Sequence, residues 1–181
     1  MNFTNPIKDK KKIEDLKAVL KSNPRDYLLF SLAVYTGIRC SDCLSLRVKD
    51  VKGARYIKIK ESKTKKTKRV LINEALKAVI EPFVLNMKED DFLFQSREGE
   101  NSPLSRSQAH RIITKAASKV GLYETGFHGL RKTLAYHIYE ESQHNIGLVM
   151  LLLNHSSEKT SLAYLGLTQN TIDSAIENLK I

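Results

Sequence analysis

The stretch FHGLRKTLAYHIYEESQHNIGLVMLLLNHSSEKTSLAYLG, residues 127–166, decides how the rest of the chain is read. His128 and Arg131 stand three residues apart, so a helix projects both side chains from one face and makes that face cationic. Gly126 and Phe127 precede the pair, and Leu130, Leu134 and Ile138 follow at helical spacing. The pair therefore falls in a first turn, where backbone N–H groups and the helix dipole also favour an anion. A phosphate is the natural guest. Asn154-His155-Ser156-Ser157 predicts a turn, and Tyr164, nine residues after His155, falls on a short helix closed by Gly166. The pattern delivers a phenol beside an anion site.

Upstream, Tyr35-Thr36-Gly37-Ile38-Arg39-Cys40-Ser41-Asp42 predicts a sharp corner. Gly37 ends one helix with a left-handed cap and Arg39 opens the next, so the guanidinium leaves a corner rather than a long solvated face. Asp42 can hold that guanidinium by a charge-assisted bond and leave other N–H groups for a phosphate oxygen. An ordinary surface ion pair fits the same spacing.

Between Val48 and Ile72 the period changes from helical to alternating. Residues 55–60 and 68–72 predict two strands joined by Thr64-Lys65-Lys66-Thr67, with a third short strand around Val48 to Val51. Such a lysine run usually protects a sheet edge. Lys63, however, shares strand parity with Ile57, Ile59 and Glu61, so a regular strand turns it to the protein side while Lys58 and Lys60 face outward.

The remaining segments are helical or loop-like. Residues 1–12 predict a loose basic arm; Asp9 caps a helix burying Ile13, Leu16, Val19 and Leu20; Pro24 starts another that buries Tyr27, Leu28, Leu29, Leu32 and Ala33. Asn73 caps a helix to Val84 that Pro82 should kink or shorten. Phe92-Leu93-Phe94 is a short buried run. Ser105 or Ser107 opens a helix with Ala109, Ile112, Ile113, Ala116 and Val120 inside. Its outer face carries Arg106, His110, Arg111, Lys115 and Lys119, which fits either a DNA-facing surface or plain solvation. Thr171 caps a last amphipathic stretch through Ile176 and Leu179.

Lys and Arg number 30 against 20 acidic residues, a net charge of +10 over 181 residues. That length suits one domain, and the charge suits a nucleic-acid partner, although an anionic membrane surface attracts the same composition. No apolar run approaches the ~18 residues of a membrane span, and the N-terminus lacks a signal-peptide core, which predicts a cytoplasmic location. Cys40 and Cys43 form a C-x-x-C pair. No second Cys or His pair at ligand spacing supports zinc, and a redox motif needs a different strand–helix context, so semi-buried thiols in a reducing compartment are the better reading.

His128-x-x-Arg131, the Leu153-Asn154-His155-Ser156 segment and Tyr164 together resemble the second signature box of the tyrosine recombinases, the phage integrase family. The Arg39 corner resembles its first arginine box, and the basic hairpin its lysine element. The resemblance covers about residues 25–166. It implies an α+β, mostly helical catalytic domain over 13–166, with a small antiparallel hairpin or three-stranded sheet packed on helices. A helical tail, 167–181, would follow and could dock on a neighbouring protomer.

The implied chemistry is cleavage and rejoining of double-stranded DNA through a 3′-phosphotyrosine bond. Arg39 and Arg131 would grip the phosphate, His128 would orient or accept a proton, His155 would donate to the phosphate, and Tyr164 would attack. Lys63, or Lys65 as second choice, would protonate the departing 5′ oxygen; Ser62 and Thr64 replace the glycines usual beside that lysine. Lys65, Lys66, Arg106 and Arg111 are the candidates for binding DNA. No metal or cofactor is implied. The partner would be DNA, bound by a protein that is monomeric when free and tetrameric on synapsed sites, in the nucleoid. The separate N-terminal helical domain usual in the family has no counterpart here, so the chain reads as a catalytic fragment or a minimal recombinase. Two other readings remain: a DNA-binding regulator of this fold without turnover, and a type IB topoisomerase.

Overall fold

The computed structural model describes residues 4–60, 67–167, 171, 173 and 176–179. Helix α1, Lys10–Leu20, starts where the Asp9 carboxylate accepts from Lys11 N, and α2, Pro24–Thr36, where Asn23 Oδ1 accepts from Asp26 N. Both caps satisfy N–H groups that have no partner inside the helix. Helix α2 is the central rod: Leu28, Leu29, Phe30, Leu32 and Ala33 are all buried, so it is wrapped rather than laid on a surface.

Gly37 ends α2 with φ +58°. A Cβ there would meet Leu134 Cδ2 at 2.9 Å, so both the left-handed backbone and the close approach of a later helix require glycine. The short α3, Cys40–Leu44, follows with Arg39 as its N-terminal flanking residue. This is the corner read from the sequence.

Strands β1, Tyr56–Lys60, and β2, Thr67–Leu71, pair antiparallel with Ile57 opposite Val70 and Lys60 opposite Thr67. Ile57 and Ile59 are buried while Lys58 and Lys60 are exposed, the expected parity. The expected third strand is not there. Val48–Asp50 is a 3₁₀ turn, because the Asp50 carboxylate accepts from Arg47 N and curls the chain at once. Val48 and Val51 are still buried, so the apolar pattern holds although the backbone is not extended.

Helix α4, Glu74–Val84, is capped by Asn73 and carries Pro82 in its last turn without losing that turn. Helix α5, Arg106–Lys119, begins with a capping box in which Ser105 and Gln108 satisfy each other's backbone N–H groups. It buries Ala109, Ile113, Ala116 and Ala117 and keeps Arg106, His110, Arg111, Lys115 and Lys119 exposed. Helices α6, Phe127–Glu141, α7, Ile146–Leu153, and α8, Glu158–Leu165, follow. Asn154 and Gly166 end α7 and α8 in left-handed conformations.

The predicted loose arm is a second correction. From Thr4 onward it packs along α6: Ile7 is buried, its N–H donates to Thr133 Oγ1 at 2.9 Å, and its carbonyl lies 3.0 Å from His137 Nε2. Gly129 makes room, since a Cβ there would lie 3.2 Å from the Asn5 carbonyl oxygen. One apolar residue in a polar run was enough once a groove on α6 received it, and Lys10 to Lys12 lie within α1.

Most of the core is one cluster around α2. Ala135, Val149, Leu153 and Leu165 form a separate small cluster among α6, α7 and α8. Helix α8 buries only Ser161 and Leu165, so few apolar contacts hold the segment that carries Tyr164.

Candidate nucleophile and phosphate site

One pocket of about 720 Å³ gathers side chains from four parts of the chain. The α2–α3 corner contributes Arg39, the start of α5 Arg106, the first turns of α6 His128 and Arg131, and the turn before α8 together with α8 itself His155 and Tyr164. Each arrives through a local device already visible: a glycine cap, a capping box, a first-turn position, a left-handed Asn.

Arg131 is buried, 4% exposed. Its guanidinium donates to the Gly37 carbonyl and, at 2.8 Å, to the Leu153 carbonyl. These oxygens sit at the ends of α2 and α7, where last-turn carbonyls lack helical partners and the dipole is negative. The same guanidinium therefore ties the arginine corner to the histidine turn and forms the pocket wall. Lys68 of β2 adds a parallel tie, donating to the Leu152 carbonyl at 2.6 Å.

Tyr164 packs against two imidazoles. The His128 and His155 rings are 5.1 and 5.3 Å from its ring, both edge-on, at 83° and 77°. Its hydroxyl is 3.5 Å from His128 Nδ1, a contact longer than a good hydrogen bond and of the kind that tightens when substrate arrives. His155 Nδ1 lies 3.0 Å from Ser161 Oγ, which fixes the ring and turns its other nitrogen away from Ser161. Lys132 Nζ stands over the Tyr164 ring at 5.3 Å.

The field is strongly cationic. Burial pushes the Tyr164 phenol above its ordinary value, while Arg131, through charge and a hydrogen bond, and Arg39 pull it back. His128 is held below its ordinary value by desolvation and then by Lys132, Arg131, Arg39 and His155, even though part of its ring reaches solvent at the pocket rim. His155 is lowered by partial burial and by Arg131 and Arg39. Both imidazoles therefore stay neutral where a free histidine would begin to charge.

A pH dependence of stability follows. The unfolded chain takes up these protons near the ordinary value of 6.5, the folded chain only at lower pH. Their contribution is complete above about pH 6.5 and declines as the pH falls through the folded values. Urea midpoints measured from pH 8 to pH 5 should fall, and the double variant His128→Gln, His155→Gln should lose part of that fall. Identical pH slopes for the two proteins would contradict the assignment.

Among the other sequence-derived candidates, Asp42 is buried in the first turn of α3, three residues after Arg39. Arg106 lines the pocket. Arg111 does not: it lines a separate groove with Arg25, Arg97, Lys115 and Lys119, on another side of α5. Lys63, Lys65 and Lys66 lie outside the described residues. Sequence reading overlooked Lys132 and Ser161, although i,i+4 spacing from His128 and i,i+3 spacing before Tyr164 could have found them. Cys40 also lines the pocket, and burial raises its thiol and that of Cys43, so neither is an activated thiolate. Among the described residues no three His, Cys, Asp or Glu side chains gather as metal ligands, and no helix is long and apolar enough to cross a membrane.

Known proteins align with this arrangement. A Bacillus subtilis (strain 168) protein described as a probable integrase/recombinase, YoeC, is 40% identical over 176 residues, covering 97% of this chain and 96% of its own. A tyrosine recombinase of Pseudothermotoga lettingae is 30% identical over 171 residues, and there the chain spans 58% of the relative's length. Among solved structures, the XerA recombinase crystal structure superposes with a TM-score of 0.77 at 21% identity, covering 99% of this chain and 68% of that one. The post-cleavage complex of the XerH site-specific recombinase with a palindromic difH substrate gives 0.76 at 22% identity, covering 96% and 52%. At these identities the structures speak for the fold alone. The model of the phage integrase family matches residues 8–171, nearly the whole chain, and with the 40% identical relative it establishes that this chain belongs to the phage integrase family.

Proposed function

We propose that the chain is a site-specific DNA recombinase or integrase that cuts and rejoins DNA through a 3′-phosphotyrosine intermediate. The observation that carries this reading is the convergence of Arg39, His128, Arg131, His155 and Tyr164 on one pocket. In the reaction, Tyr164 Oη attacks the phosphorus and gives up its proton, for which neutral His128 is the nearest acceptor. The bond from phosphorus to the phenolic oxygen forms as the bond to the 5′ oxygen breaks. Arg39, Arg131 and His155 offset charge on the non-bridging oxygens, with Asp42 supporting Arg39, and each gains strength as that charge grows. By family resemblance Lys63, with Lys65 as second choice, supplies a proton to the leaving 5′ oxygen. Because the phosphodiester energy is kept in the tyrosyl ester, a second 5′ hydroxyl reverses the step.

Lys65, Lys66, Arg106 and Arg111 add phosphate contacts along the duplex, a sequence-independent contribution to affinity. The protein acts as a monomer when free and as a tetramer on synapsed sites in the nucleoid. Its tail docks on a neighbouring protomer; Ile176 and Leu179, at 64% and 62% exposed, have their apolar surface uncovered in the single chain. The names borne by the relatives favour recombination over a silent regulator or supercoil relaxation.

The test is covalent trapping. Duplexes selected for binding from a random pool, nicked so that the cut fragment diffuses away, should yield a denaturant-resistant protein–DNA adduct. Binding without any adduct would leave the regulator reading, and relaxation of an unrelated supercoiled plasmid would favour the topoisomerase.

A further inference from the structure

Lys132 has no assigned role, yet it sits one helical turn after His128 and places Nζ 5.3 Å from the centre of the Tyr164 ring, within the ~6 Å over which a cation and an aromatic face attract. We propose that Lys132 is a positioning residue for the nucleophile, holding the Tyr164 ring by its face and favouring the phenolate form as the oxygen attacks. The inference rests on Tyr164 being the nucleophile.

The two imidazoles approach the ring edge-on. Their planes stand nearly perpendicular to the phenol's, and the described ammonium over the ring belongs to Lys132. A ring that loses its phenolic proton gains electron density on its faces. The attraction therefore grows between ground state and transition state, the condition for accelerating a step rather than merely tightening the resting fold. Helix α8 is held by only two buried residues, so a contact outside that small cluster matters more for where the phenol points.

The charged and titratable groups facing Tyr164 are His128, Arg131 and Lys132 from α6, His155 from the preceding turn and Arg39 from the α2–α3 corner, with Arg106 on the same pocket wall. Arg131 and Arg39 act on the phenol and are committed to other tasks; Arg131 also bonds the Gly37 and Leu153 carbonyls. Partial burial lowers the Lys132 ammonium from its ordinary value, in keeping with its seat against the pocket.

Two variants separate charge from shape: Lys132→Met keeps the length and removes the charge, and Lys132→Arg keeps the charge. The chain carries 7 tyrosines, and growth with 3-fluorotyrosine labels all of them while bringing phenol titration into a range the fold survives. The fluorine resonance missing in Tyr164→Phe is that of Tyr164. In DNA-free protein, Lys132→Met should move the titration of this resonance to higher pH and Lys132→Arg should restore it. Single-turnover adduct formation by Lys132→Met should be about three- to tenfold slower near pH 7, with the deficit closing as the pH rises. A Tyr164 resonance that titrates identically in Lys132→Met and the parent protein would overturn the proposal, as would a rate deficit equal at every pH. If the parent forms no adduct on any selected duplex, the recombinase reading fails by itself, while the fluorine titration still decides what Lys132 does to Tyr164.

Discussion

Tyr164→Phe should abolish the proposed protein–DNA adduct while leaving the protein folded and able to bind a duplex. Only the hydroxyl is deleted. The ring keeps its edge contacts with His128 and His155 and its face contact with Lys132, so α8 loses nothing that holds it. The hydroxyl's contact with His128 is 3.5 Å long, and the Arg131 guanidinium that also bonds it retains two carbonyl partners. The stability change should therefore stay below about 1 kcal/mol. Covalent trapping, by contrast, needs an oxygen to bond to phosphorus, and the loss should exceed ~10³-fold, to the detection limit of a denaturing gel. Duplex affinity in a mobility shift should stay within about twofold of the parent. An adduct that persists in Tyr164→Phe would move the nucleophile to another side chain.

Arg131→Met should be the most damaging single substitution for stability and activity together. The Gly37 and Leu153 carbonyls are buried, and without the guanidinium each is left without that donor at about 1–3 kcal/mol. The sum, about 2–6 kcal/mol, is a large share of the ~5–15 kcal/mol typical of a domain. It also unties the corner that carries Arg39 from the turn that carries His155, so pocket geometry suffers beyond the loss of one cation. Cleavage measured at a temperature where the variant is still folded should fall on the order of 10²–10³-fold. Arg131→Lys should be intermediate in stability, because a single ammonium cannot span two carbonyls as a planar fork does. A denaturation midpoint for Arg131→Met equal to the parent's would show that the two carbonyls find other donors, and the tie between corner and turn would have to be abandoned.

Both residues are conspicuous in the sequence, but for Arg131 the sequence shows only part of the role. Arg131 was read as a grip on phosphate, which its place on the pocket wall allows; its second duty, bridging two helix ends, joins positions 37 and 153 that no local pattern connects. Gly37 illustrates the same division. Its left-handed cap was legible from the corner sequence, whereas the 2.9 Å approach of Leu134 that also demands glycine belongs to α6.

Local chemistry sufficed wherever a feature depends on near neighbours. Helix starts at Asp9, Asn23, Asn73 and Ser105, the caps at Gly37 and Gly166, and the alternating burial of β1 all follow from side-chain oxygens, backbone freedom and periodicity within a few residues. Where local options were nearly equal, distant contacts or a single cap decided. Val48 to Val51 has strand-like residues, but the Asp50 carboxylate curls it. Ile7 looks like part of a tail until Gly129 and Thr133 receive it. The separation of Arg106 from Arg111, on two sides of one helix, and the placing of Lys132 over Tyr164 depend on how α5, α6 and α8 pack. Residue identities and spacing thus determined which elements form and which groups have the right chemistry. Which of those groups meet is a matter of burying apolar faces against one another, and only the packed helices could decide it.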